Sequence, residues 1–278
     1  MARHDNVEHA TRIQAMSLQF SKIDMNANFL RKMIYCGALS LQTLLALPVA
    51  ASEPGATKQR TNLPPSADLG YLIRAKQSGI AVEGEAHMTW TSSEGRYQVT
   101  TVSRAMLLGR ILDAKSEGLI DDYGLAPLSF TEKRLRRDAT TTTFNRDSKD
   151  ISFSTSTEHY PIKGGEQDRN SAVWQLIAMA RATPAKFKDG AEWTFLVAGQ
   201  RDAEPWTFRV AKQEKLATPF GELDTWRVVK SPPPDRKGQQ VELWLAPGVE
   251  WYPARIRYTD HDGDYIEQSL ATVTKKVP

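Results

Sequence analysis

The sequence predicts a mainly β fold: a large, strongly curved antiparallel sheet, half-barrel-like, with one main helix against its inner face. Three observations carry this. From Leu69 to the C-terminus apolar residues recur with period two, the spacing of a half-buried strand. One stretch, Gly164 to Pro184, breaks the rhythm with apolar residues at helical spacing: Ala172, Val173, Leu176, Ile177 and Ala180. Six of the seven tryptophans fall on the strand segments, which points to aromatic-rich packing on a wide sheet. About a dozen strands in one meander are more than a flat sheet holds, so curvature is expected.

Residues 1–51 read as a secretory signal with a long front. Arg31 and Lys32 precede an apolar run, Met33 to Leu47, that is interrupted by Ser40, Gln42 and Thr43. That run is short and polar for a membrane span. Val49-Ala50-Ala51 supplies the small residues of a cleavage site, so cutting is expected after Ala51. Met1, Met25 and Met33 are all possible starts. Cys36, the single cysteine, follows Ile-Tyr and not the small residues of a lipid-anchoring site. The mature chain therefore has no disulfide framework and no thiol chemistry. Residues 52–68, rich in Pro, Ser, Thr and charge, read as a disordered lead-in to a single β-rich domain over 69–278.

The charge balance excludes a nucleic-acid partner. The leader holds five basic and three acidic residues. Taking these from totals of 36 and 33 leaves 31 basic and 30 acidic, a body near neutrality. A nucleic-acid surface needs a concentrated basic face.

The strands follow in order. Met88 and Trp90 share a face before a turn at Ser92 to Gly95, and Tyr97, Val99 and Thr101 return. Leu119 to Leu128, with Gly124 and Pro127, is expected to break the sheet. Phe130 to Arg137 and Thr140 to Asn145 pair around Arg137-Asp138, and Asp150 to Thr157 reads as an edge or solvent-facing strand. After the helix, which Pro184 stops, the alternating sets are Trp193/Phe195/Val197, Trp206/Phe208/Val210 and Trp226/Val228. Phe220-Gly221 is a turn, and Ser231 to Gly238 a proline-rich loop. Leu243 to Leu245, Ala254 to Thr259 and a last strand with Ile266 and Leu270 inward complete the sheet.

Asp168 stands where a helix N-cap belongs, with Ser171 three residues on. If the helix lies on the sheet, Asp168 is partly buried and calls for a cation. Arg255 and Arg257 share one face of a late strand and are the candidates for a bidentate contact pinning helix to sheet. The alternative is an exposed cap without an arginine. Either way Asp168, Arg169 and Ser171 are architectural.

Other constellations point away from chemistry. His87, His159 and His261 lack the clustered spacing of a metal site. Asp260, Asp262 and Asp264 around Gly263 miss the calcium-loop pattern and read as a hairpin turn. No G-x-S-x-G, phosphate loop or dinucleotide fingerprint occurs. Ser171 with His159 and Asp168 could be drawn as a triad, but capping explains Ser171 and Asp168. The basic run Lys133, Arg134, Arg136, Arg137 reads as a solvated strand end, and Asp121-Asp122 as a loop.

Four stretches together resemble the bacterial exported family known as domain of unknown function 3108. They are Gly124 to Arg134 (GLAPLSFTEKR), Gly164 to Arg181 (GGEQDRNSAVWQLIAMAR), Thr218 to Val228 (TPFGELDTWRV), and Glu242 to Gln268. The resemblance implies an exported β-rich domain and marks no catalytic residue. A curved sheet on a helix also resembles the half-barrel of periplasmic lipoprotein carriers, at the level of fold alone. The function expected is that of a periplasmic, non-enzymatic protein without cofactor or metal and without a transmembrane span in the mature chain. It would bind a lipid or other apolar envelope ligand, or else serve as an interaction scaffold for an envelope protein. A hydrolase is the weakest alternative.

Overall fold

The computed structural model describes residues 57–232 and 238–276. The signal segment and the start of the lead-in lie outside the described residues. Fifteen strands form one sheet: β1 Ala67–Gln77, β2 Ile80–Ser93, β3 Arg96–Ala105, β4 Gly109–Asp121, β5 Gly124–Arg134, β6 Thr140–Asn145, β7 Asp150–Phe153, β8 Ser156–Pro161, β9 Gln167–Asp168, β10 Glu192–Ala198, β11 Ala203–Thr218, β12 Gly221–Lys230, β13 Gln240–Leu245, β14 Pro253–Thr259 and β15 Tyr265–Lys275. Helix α1, Ser171–Ala182, stands between β9 and β10, and a 3-10 turn at Pro184–Lys186 follows it. The order across the sheet runs from β8 down to β1, then β15 down to β9. The first and last strands are therefore neighbours at its centre. Every pairing is antiparallel except β9 with β10.

Bulges bend this sheet. Ladder registers shift at Gly70/Tyr71, Ser103/Arg104, Glu117/Gly118, Val210/Lys212 and Trp244/Leu245. Each bulge adds bend and right-handed twist. The sheet curls until its two ends meet without a closing ladder. Phe144, Ile151 and Phe153 from one end pack with Ala198 from the other. Thr142 Oγ1 donates to the Gly199 carbonyl at 2.6 Å, and Thr155 Oγ1 to the Gln200 carbonyl at 2.9 Å.

The expected break at 119–128 is instead a hairpin, β4–β5. Pro127 stands opposite Gly118 at the bulge, where a strand tolerates a residue without an N–H. The expected edge strand at 150–157 is two strands, divided at Ser154-Thr155. Trp251 lies in the β13–β14 connection and not on a strand.

Helix α1 is enclosed. Its first ten residues, Ser171 to Ala180, are all buried. Trp174 stacks on Trp90 with centroids 4.4 Å apart, and Tyr252 meets Trp174 edge-on. Phe187, beyond the helix, is ringed by Trp193, Trp226 and Trp251. The part of the lead-in that is described, from residue 57, is held down, contrary to the expected disorder. Asn62 N–H donates to the Ala178 carbonyl, Trp90 Nε1 to the Pro64 carbonyl and Tyr252 OH to the Pro65 carbonyl. A polar, proline-rich composition hides this, because the backbone does the bonding.

Candidate functional site

The site is built where β9 turns into α1. Asn170 occupies the N-cap position, but its side chain makes no cap bond. Asp168 caps from two residues earlier. Its Oδ1 accepts the Asn170 and Ser171 N–H groups at 2.8 and 2.9 Å, and Ser171 Oγ accepts the Asp168 N–H at 2.9 Å. This reciprocal arrangement satisfies donors that a helix start leaves free. Asp168 Oδ2 accepts from Ser116 Oγ on β4 at 2.5 Å, and Ser116 Oγ lies 3.0 Å from Tyr97 OH on β3. With the Ser116 proton committed to the carboxylate, Tyr97 is the donor to Ser116.

Asp168 is fully buried. Burial pushes its carboxyl up to about 6, against the opposing bonds from Ser116, Ser171 and Asn170. Burial, followed by the nearby Asp168, holds the Tyr97 hydroxyl well above its ordinary range. A carboxyl near 6 could in principle move protons. Here both oxygens are engaged in holding the helix start, so the group acts as a brace.

Arg169 is arranged differently. Its guanidinium lies on Gly199, where an added Cβ would come 2.8 Å from Nη2. The side chain makes no hydrogen bond or ion pair with another described residue. Within its electrostatic reach are Lys230 and Tyr258. Lys230 is 5% exposed. Its Nζ is held loosely, 3.5 Å from Glu204 Oε1 and 3.4 Å from the Gln239 carbonyl, and lies over the Trp206 ring. Burial holds its pKa below the usual lysine range. Burial, aided by Glu132, pushes the Tyr258 hydroxyl up to about 12. The Glu132 carboxylate is itself buried and accepts from Arg134 Nε and Gln200 Nε2, both at 2.5 Å.

Strand register sets these groups around the interior. Lys230, Val241, Tyr258 and Ile266 are successive partners in one row across β12 to β15. Thr101, Ala114 and Glu132 form a row on β3 to β5, two residues along from the row of Val99 and Ser116. Several buried polar atoms on these strands find no hydrogen-bond partner among the described residues: Thr101 Oγ1, Ser103 Oγ and Gln268 Oε1. Apolar neighbours Ile73, Val241, Ile256 and Ile266 share the same inward parity. The interior is thus apolar around α1 and mixed, with two cations, beside the helix start.

The link from Asp168 to Arg255 or Arg257 does not exist, and the exposed-cap alternative fails too. Ile256 faces the core, so alternation turns its two neighbours outward. Arg255 bonds Ser269 Oγ and the Ala217 carbonyl, and its guanidinium lies over Trp244. Arg257 lies over Tyr265, 3.6 Å from Glu267. His159 pairs with Asp150 on exposed strands and is no partner for Ser171. Asp260 Oδ1 accepts the N–H groups of Asp262 and Asp264, a turn's own bonds. Ser116, Glu132, Lys230 and Gln268 were missed. Their signal was available: each is a polar residue at the inward parity of a strand.

Among the described residues no helix is long and apolar enough to cross a membrane. The family model described as Protein of unknown function (DUF3108) matches residues 71–270. No curated protein matches the chain. Among solved structures, a β-barrel-like protein of domain of unknown function DUF1849 from Brucella abortus aligns with TM-score 0.52 and 13% identity, over 78% of this chain and 100% of that one. A candidate outer membrane lipoprotein-sorting domain from Vibrio parahaemolyticus aligns with TM-score 0.32 and 10% identity, over 77% and 86%. The first likeness is one of fold, and the second is too distant to carry an argument.

Proposed function

Because this chain belongs to the DUF3108 family of unknown function, we propose, from its interior rather than from its relatives, that it is a non-catalytic binding protein of the cell envelope. It is exported behind a leader cleaved after Ala51 and carries a largely apolar ligand that bears a polar group. The observation behind this reading is the set of buried, unpartnered atoms on inward strand positions, Thr101 Oγ1, Ser103 Oγ and Gln268 Oε1, among aliphatic side chains. A buried polar group without a partner costs about 1–3 kcal/mol. A bound molecule with its own polar group recovers that cost. The engaged oxygens of Asp168 and the capping bond of Ser171 support a binding role over catalysis.

The test is mass spectrometry of small molecules extracted from the mature protein after purification from its native envelope. An amphiphile retained near one per chain is expected, with occupancy reduced several-fold in Thr101→Val/Ser103→Ala. Protein that carries nothing and takes up nothing offered would leave the scaffold reading. That second reading has one specific support: Met106 and Leu107 are 79% and 93% exposed side by side on the β3–β4 turn.

A further inference from the structure

Among the described residues Arg169 is a part-buried charge without a counter-charge. A guanidinium carries five donors in a fixed fork and is made for bidentate contact with a carboxylate or phosphate. Two other partly buried arginines find such partners: Arg181 meets Glu250 at 2.6 Å, and Arg227 meets Glu242. Arg169 has none among the described residues, although it packs against backbone that only a glycine at 199 allows so close. It also follows Asp168 at the start of α1, the positive end of a helix dipole, where a cation is disfavoured. The second cation, Lys230, is nearly inaccessible, and its one carboxylate contact is long and runs to a half-exposed Glu204. The other carboxylates nearby are committed. Glu132 is held by Arg134 and Gln200, and Asp168 by Ser116 and two backbone N–H groups.

We propose that Arg169 and Lys230 together receive the anionic group of an amphiphile, a carboxylate or a phosphate, whose apolar body lies along the inward aliphatic side chains of β1 and β13–β15. This rests on the binding-protein reading and names the class of ligand. Two features give the ligand its amphiphilic character. Lys230 stands at the mixed end of the interior, in the same strand row as Val241 and Ile266, with Arg169 within its electrostatic reach. The unpartnered hydroxyls of Thr101 and Ser103 face inward and can donate to the oxygens of the head. The way in is the seam between the sheet's ends. Side-chain bonds from Thr142 and Thr155 and one small apolar cluster join it, and Gly199, under the Arg169 fork, is part of it. Arg169 keeps partial exposure there.

The experiment uses the mature chain stripped of retained molecules and titrated by calorimetry with dodecanoate, dodecyl phosphate, dodecanol and inorganic phosphate. The two dodecyl anions are expected to bind, with dodecanol about tenfold weaker. Arg169→Gln and Lys230→Met should each weaken the anions to about the dodecanol level while leaving dodecanol unchanged. Whichever dodecyl anion binds tighter identifies the head. Equal binding of alcohol and anions, unaffected by Arg169→Gln, overturns the anion contact but leaves the binding protein intact. Tight inorganic phosphate with the same arginine dependence overturns the amphiphile. No binding by any of the four removes this proposal together with the binding-protein reading. A thermal melt without ligand supplies the second measurement. An arginine kept for binding is dispensable for the fold, so Arg169→Gln should melt at or above the parent. A clear loss of melting temperature would make Arg169 structural and sink the assignment.

Discussion

At the scale of the residue, Asp168 makes stability depend on pH in an unusual direction. Asp68 and Glu250 are held low by their hydrogen bonds. Asp168 is raised to about 6 by burial, against about 3.9 in an unfolded chain. Between those values the native state holds a proton that the unfolded state has released. The stabilisation is full below about pH 4 and is lost as pH rises through about 6. A two-unit shift corresponds to about 3 kcal/mol. Urea melts of the parent and Asp168→Asn from pH 4 to pH 7 should show the parent losing about that much relative to the variant, since asparagine does not titrate. A gap that stays constant with pH would mean the carboxyl is ionised throughout. The N-cap position belongs to Asn170 and not to Asp168, yet the capping role of Asp168 was legible, because an Asp ahead of an apolar helical run has few other uses. Its environment was not. Sequence offered two arginines, yet the buried Ile256 between them already implied that both face away. What the carboxyl meets instead, Ser116, sits on a strand whose neighbour across the interior no local pattern reveals.

The helix is the element on which the interior depends. Its apolar stripe was legible, but its complete enclosure was not. Gln175 is a polar residue on its surface and looks solvent-bound in sequence. In the structure it is buried, accepting the Leu125 N–H and donating to the Tyr123 carbonyl, each at 2.8 Å. That pair of bonds stitches α1 to the β4–β5 turn. Gly124 makes the approach possible. It has φ +102°, and a Cβ there would lie 2.3 Å from Gln175 Oε1. Gly124→Ala should therefore lose both bonds and strain the turn, costing about 2–4 kcal/mol in urea melts. Gln175→Ala should cost somewhat less, and the double variant little more than Gly124→Ala alone. Additive losses would show that the glycine and the glutamine act separately. This contact escaped the sequence because Gly124 read as a sheet breaker, whereas it is a turn residue admitting a side chain from 51 positions away.

At the scale of the whole molecule, alternation told where strands are and which face each side chain takes. It did not tell which strands are neighbours. The centre of the sheet is β1 against β15, paired from Ala67 with Lys275 to Lys76 with Tyr265 across one bulge at Gly70/Tyr71. Without β15 the sheet falls into two parts, β1 to β8 and β9 to β14, sharing a helix that neither encloses alone. A chain ending at Asp264 should give no cooperative unfolding transition by near-ultraviolet circular dichroism, and a sharp transition would place the stability in one half. The same pairing bears on the order of events as the chain is made. Hairpins such as β2–β3 join neighbours and can zip as soon as they emerge. The β1–β15 ladder joins segments about two hundred residues apart, and its loop-closure cost falls late. β15, which follows the other described strands in the chain, is thus the one that completes the middle of the sheet. Until it arrives the inward faces stay uncovered and α1 has no enclosure. The chain remains threadable until β15 pairs with β1.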